Sequence, residues 1–173
     1  MKKIFQALAK YNGSVNQSII ELIEPLGKEK VMMETKAYYP SIFKTLLHNF
    51  ITDLNWLRRL RDALKENKAL SNSKLVSLEG ESLKKEFESD YTKLYQYRKQ
   101  ADDLIRQFID EVDENRLSSV VKYKNYKRED VEQELWKPLL HWLNHQTHHR
   151  GQISVLLDMI GIDNDYSSML TRI

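Results

Sequence analysis

Four stretches of this chain repeat apolar residues every three or four positions and run for many helical turns with almost nothing to interrupt them. Only five glycines and three prolines occur in 173 residues. That is too little punctuation for a many-stranded architecture, and it favours helices. The first stretch runs from about Ile4 to Leu26, with Ile19, Ile20, Leu22, Ile23 and Leu26 near its end and Gly27 as its stop. A polar connector, KEKVMMETKAYYP, follows. The second begins at Pro40–Ser41, a good helix opening, and reaches about Glu66. Phe43, Leu47, Phe50, Leu54 and Leu57 form its stripe. KALSNSKLVSLEGES reads as a loop. The third stretch spans Leu83 to Val112 and the last Val131 to Ile160, where Pro138 predicts a kink or a break near the first turns. LSSVVKYKNYK, between them, reads as a short extended piece that cannot form a sheet alone. The expected architecture is all-α, a four-helix bundle with long connecting loops, as one domain over residues 1–173.

Composition removes several classes of function. Basic residues number 27 and acidic residues 25, mixed along the chain, a balance that does not indicate the concentrated basic face of a nucleic-acid binder and does not by itself exclude one. With no cysteine, disulfides, cysteine-based zinc knuckles and thiol nucleophiles within the protein are excluded. The opening MKKIFQALAK holds an apolar run too short for a signal peptide, and no stretch approaches the length of a membrane span. Sequons at Asn12 and Asn16 carry no weight without secretion. The reading is a cytoplasmic protein.

The histidines are unevenly spent. Of five in the chain, four fall within HWLNHQTHHR, and the fifth is His48. On a helical wheel with His141 at zero, His145 falls at about 40°, His148 at about −20° and His149 at about 80°. Leu156, Ile160, Trp142 and Ile153 centre on about 80°, so His145 and His149 point into the apolar face while His141 and His148 lie towards its rim. The i, i+4 spacing stacks two imidazoles on adjacent turns, as one helix does when it offers two nitrogens to one metal ion. Residue 146 is Gln, so the general base of an H-E-x-x-H site is missing. Hydrogen-bonded core or rim histidines are the bland alternative, disfavoured by the cost of burying two unsatisfied imidazoles. His48 lies about 60° or more from the apolar centre of its own helix, among Thr45, Thr52 and Asn55. It belongs either to an exposed face or to a polar seam opening as a cleft beside the core. Periodicity does not choose between these.

NHQTHHRGQI, from Asn144 to Ile153, resembles the signature of the DinB/YfiT-like family of metal-dependent proteins. YYPSIFKTLLHNFITDLNWLRRL, Tyr38 to Leu60, resembles the family's other block, with His48 at its metal-binding histidine position. Tyr11–Asn12 and VKYKNYK also fit, and the likeness covers nearly the whole chain. The resemblance implies an up-down-down-up bundle, often a homodimer, that holds a divalent ion, nickel or zinc, on His48, His145 and His149. His148 is the rival ligand, since i, i+3 also makes neighbours. Arg150 falls on the opposite side of the wheel and reads as a structural pair. Gln152 and His141 are candidates for supporting the ligands.

Within such a family two reaction types are implied, hydrolysis by metal-activated water and transfer or isomerisation with a low-molecular-weight thiol cosubstrate. The lack of cysteine is consistent with the second. The expected partner is a small-molecule substrate, with no membrane. Asp53 and Glu134 are the carboxylates to consider as general base. A non-catalytic metal-binding stress-response protein is the alternative, disfavoured because closed structural sites use four protein ligands. DNA binding ranks last. Trp56, Trp136 and Trp142 read as core.

Overall fold

The computed structural model describes residues 1–173. Four long helices dominate it: α1 (Lys2–Ile23), α3 (Ile42–Ala63), α6 (Lys93–Glu111) and α7 (Trp136–Asp158). Shorter helices α2 (Gly27–Met32), α4 (Lys68–Asn72) and α5 (Gly80–Ser89) sit in the connections, and strands β1 (Val120–Lys124) and β2 (Asp130–Glu134) form an antiparallel hairpin. α1 packs against α6 and α7, and α3 packs against the same two helices, around one connected apolar core. No helix is long and apolar enough to cross a membrane.

Three element limits differ from the sequence expectation, each for a local reason. α1 ends at Ile23 because Pro25 has no N–H to return to the helix. The chain tightens into a 3-10 turn over Glu24–Leu26, and Gly27 then takes a positive φ of 77°. The third stretch is two helices. Asp90 breaks it by accepting, at Oδ1, hydrogen bonds from the Thr92 N–H at 3.1 Å and hydroxyl at 2.6 Å. KALSN, read as loop, forms a short helix capped by Asn67, whose Oδ1 accepts from the Leu70 N–H.

The largest difference lies before α7. Residues from Val131 were expected to be helical, but Asp130–Glu134 pair with Val120–Lys124. The turn between them is built by Asn125, whose Oδ1 accepts from the N–H groups of Lys127 and Glu129. The extended piece therefore finds its partner in what looked like a helix start. Pro138 becomes the third residue of α7, where its missing N–H has no intrahelical partner to lose, so it begins the helix instead of kinking it. β1 packs on α3 and β2 on α7, so the hairpin sits over the seam between these helices.

Candidate metal centre

α3 opens at Ser41, whose Oγ accepts the Lys44 N–H at 3.1 Å. Two turns on, this helix presents His48 to the seam with α7, which carries His145 and His149 on successive turns. The structure brings the three together, with one ligand nitrogen from each lying within 4.8 Å of the others. No other His, Cys, Asp or Glu joins the group. His149 Nε2 and His145 Nε2 are 3.0 Å apart, and the His48 ring lies 4.5 Å from that of His149 and 5.4 Å from that of His145, centre to centre. His149 is buried and the other two are half-buried.

Neighbours hold the rings. His149 Nδ1 donates to Gln152 Oε1 at 2.7 Å, which fixes the tautomer and turns the Nε2 lone pair inward. His48 Nδ1 meets the Tyr39 hydroxyl at 2.8 Å, and the two rings stack at 4.2 Å. The Thr52 hydroxyl stands 3.5 Å from His48 Nε2. Tyr39 lies in the connector between α2 and α3, outside any helical repeat, so no spacing rule could have found it. Gln152 is among the residues the sequence already offers as supports for the ligands.

Burial, and then the nearby His149, pushes His48 down to about 4. His145 is likewise lowered to about 4 by burial and then by His149, His48 and its other histidine neighbours. His149 is lowered by burial, against the opposing bond to Gln152. At neutral pH the site is therefore three uncharged imidazoles. His145 Nδ1 is buried without a hydrogen-bond partner, and two Nε2 atoms face each other at contact distance. A cation among the three nitrogens satisfies both facing lone pairs at once, and imidazole suits zinc and nickel. The donor set fits a divalent ion and leaves coordination positions for other ligands.

The remaining sequence candidates fall elsewhere. His148 is exposed, and its Nε2 contacts Gln152 Nε2 at 3.3 Å, outside the group of three. His141 is exposed one turn before His145, with its ring 6.5 Å from that of His145 and 5.9 Å from that of Trp56. Asp53 is fully buried behind the site, where it accepts from Trp142 Nε1 at 2.6 Å and pairs with Arg98, so neither oxygen is free to act as a base. Glu134 pairs with Lys137 at the surface. Of the tryptophans, Trp142 is core, Trp136 is half-buried, and Trp56 is buried yet lines a side cavity.

Arg150 is also buried. Its Nη2 donates to Asn12 Oδ1 at 2.6 Å, and its guanidinium lies 5.1 Å over the Tyr11 ring. Asn16 Nδ2 donates both to Gln146 Oε1 and to Asp102, which pairs with Arg98. Asn12 and Asn16 are almost wholly buried, so the two sequons are not accessible sites. A groove of about 420 Å³ adjoins the histidines, lined by connector residues 35–39 and by His148, Gln152, Val155, Leu156 and Met159. The three histidines do not line it themselves; Tyr39 and Gln152 belong to both groove and site.

A mostly helical protein with a three-histidine group in a seam between two helices is thus the class that fold and site define. The sequence pattern of the DinB family matches residues 1–166, and the chain belongs to that family. It is similar to Protein DinB of Bacillus subtilis (strain 168), 26% identical over 159 residues that cover 89% of this chain and 84% of the relative. No solved structure matches the chain at a significant level.

Proposed function

We propose that this protein is a metal-dependent enzyme in which His48, His145 and His149 hold one divalent ion, nickel or zinc, and that it acts on a small molecule by hydrolysis or by transfer of a low-molecular-weight thiol. The observation that carries the reading is the set of three neutral imidazoles, from two helices, whose nitrogens lie within 4.8 Å of one another with no fourth protein ligand. When bound, the ion supplies Lewis acidity and favours an anion such as hydroxide, carboxylate or thiolate, because the ligands do not offset its charge.

The chain's own residues do the rest. Gln152 and Tyr39 orient His149 and His48. Val155, Leu156 and Met159 give the neighbouring groove an apolar wall on which the apolar part of a substrate can rest. No carboxylate faces the histidines to take a proton, so proton transfer falls to Tyr39, Thr52 or the cosubstrate. Lys2 meets Asp110 and Asn16 meets Asp102, so α1 runs against α6, whereas Asp53 meets Arg98 and Asn67, just past α3, meets Phe108, so α3 runs with α6. This supports an up-down-down-up bundle as a single domain. We extend the proposal to a cytoplasmic homodimer.

The first test is metal content of untagged protein beside the double variant His145→Ala, His149→Ala. About one divalent ion per chain, lost in the double variant, is the expected result. Screens of ester, amide and thiol-transfer substrates on the loaded protein then separate the two reaction types. An absence of ion in either protein, after offering nickel and zinc, overturns the reading. Metal without turnover leaves the non-catalytic stress-response alternative.

A further inference from the structure

Two cavities flank the three histidines, and they differ in chemistry. The connector groove is largely apolar. On the hairpin side a second cavity of about 190 Å³ opens between α3, α7 and the β1–β2 turn, with Trp56, Arg59, Tyr123, Tyr126, Gln133 and His141 among its walls. His141 stands between this cavity and the site, its ring 5.9 Å from that of Trp56 and 6.5 Å from that of His145.

Arg59 sets this cavity apart. Its guanidinium stacks 4.9 Å over the Trp56 ring and is half-buried. Arg58, Arg61, Arg98, Arg106, Arg116, Arg150 and Arg172 all donate hydrogen bonds to protein acceptors. Arg59 has neither a carboxylate nor a hydrogen-bond acceptor, a state it shares only with Arg128 in the exposed hairpin turn. Stacking holds the guanidinium plane and leaves its N–H edge unused. Beside it, the Tyr123 hydroxyl accepts from Gln133 Nε2, which leaves the Tyr123 proton free to donate. The cavity thus presents one fixed planar cation and a hydroxyl donor between aromatic walls. A carboxylate matches that fork. A dianionic phosphate would need a second cation, and no lysine lines the cavity.

The spacing to the site follows from helix geometry. Arg59 lies seven residues beyond Thr52 on α3, and Pro138 on the facing wall lies seven before His145, two turns or about 10 Å in each case. We infer that the Arg59 cavity is the subsite for the carboxylate of an extended, singly charged substrate whose reacting group lies at the three histidines. This rests on the metal-centre reading of those histidines.

The probe is the monohydroxamate of octanedioic acid, whose hydroxamate binds a metal ion and whose far carboxylate reaches the Arg59 cavity, compared with its neutral methyl ester. Calorimetry on the zinc-loaded full chain should give a preference of about ten-fold or more for the acid, the scale of a charge-assisted hydrogen-bonded pair. In Arg59→Gln that preference falls to about one, and Arg59→Lys recovers part of it, with zinc content measured on every sample. Equal binding of acid and ester by the wild type, or a preference that survives in Arg59→Gln, overturns the inference. If the chain takes up no zinc, the metal reading fails separately. The Trp56 indole resonance of the metal-free chain then decides: a shift with octanoate and none with octanamide supports the subsite, and equal responses overturn it.

Discussion

α7 serves two polar regions that differ in one respect. His145 and His149 face the α3 seam, while Gln146 and Arg150, each one residue further on, face the interior between α1 and α6. In the interior, two arginines and two aspartates balance one another. Arg98 pairs with both Asp53 and Asp102, and Trp142, Asn16 and Asn12 supply further bonds. In the seam the three imidazoles are uncharged, and one nitrogen from each lies within 4.8 Å of the others. In the first region the charges are matched within the chain, although Asn16 Oδ1, Gln146 Nε2 and Arg150 Nε lack partners. In the second, uncharged nitrogens from two helices converge, as a bound cation would require. A buried polar group with its partners in place is structure; one whose free donors point at a common centre is a site.

The sharpest way to break the interior is Arg98→Met. It leaves two buried carboxylates without their cation, and urea unfolding should register a loss of about 3–5 kcal/mol or outright failure to fold. The seam should respond in the opposite sense. His145→Ala with His149→Ala is expected to abolish metal uptake yet change the unfolding free energy of the apo protein by only about 1 kcal/mol or less, since neither neutral imidazole pairs with a charge and His145 Nδ1 is buried without a partner.

A smaller effect tests the supports. Gln152→Leu removes the acceptor that orients His149 and should weaken metal binding by about 10–100-fold in a competition titration, with the ion still bound at high concentration. Tyr39→Phe should act in the same direction through His48.

The pH dependence separates the regions by sign. His48 and His145 are lowered from 6.5 to about 4, so between those values the unfolded chain binds more protons and the folded apo protein loses stability as pH falls. Above 6.5 they contribute nothing. Asp102 is raised from 3.8 to about 6 by burial, against the pull of Arg98, so the folded chain takes up that proton first and gains relative stability as pH falls between 6 and 3.8. Comparing the wild type with the double histidine variant cancels Asp102. The wild-type midpoint should fall relative to the variant from about pH 6.5 towards 4, and parallel curves would refute the assignment. The smallest effect belongs to Glu132→Gln in the hairpin, whose pair with Lys122 is exposed on both sides and whose loss should leave the midpoint unchanged.

Helical periodicity located all four long helices, and the wheel picked His145 and His149 because apolar residues on the same helix mark the buried direction. His48 was not decidable that way. Its helix face is polar, and whether a polar face meets solvent or another helix depends on what packs there. The interior network escaped for the converse reason: Asn16, Asp53, Arg98 and Asp102 break the apolar pattern, and their partners sit on other helices. The hairpin was missed because strand pairing is non-local, and Val131–Glu134 alone look as helical as their neighbours.

The sequence by itself determined a helical chain, a pair of imidazoles one turn apart, and a chemistry without cysteine, because periodicity and residue type are local properties. Tertiary structure decided that His48 meets that pair, that Tyr39 reaches back from a connector to hold it, and that Arg59 is left with an unused charge. Each of these depends on which surfaces of separate helices come into contact, and no spacing along one helix encodes that.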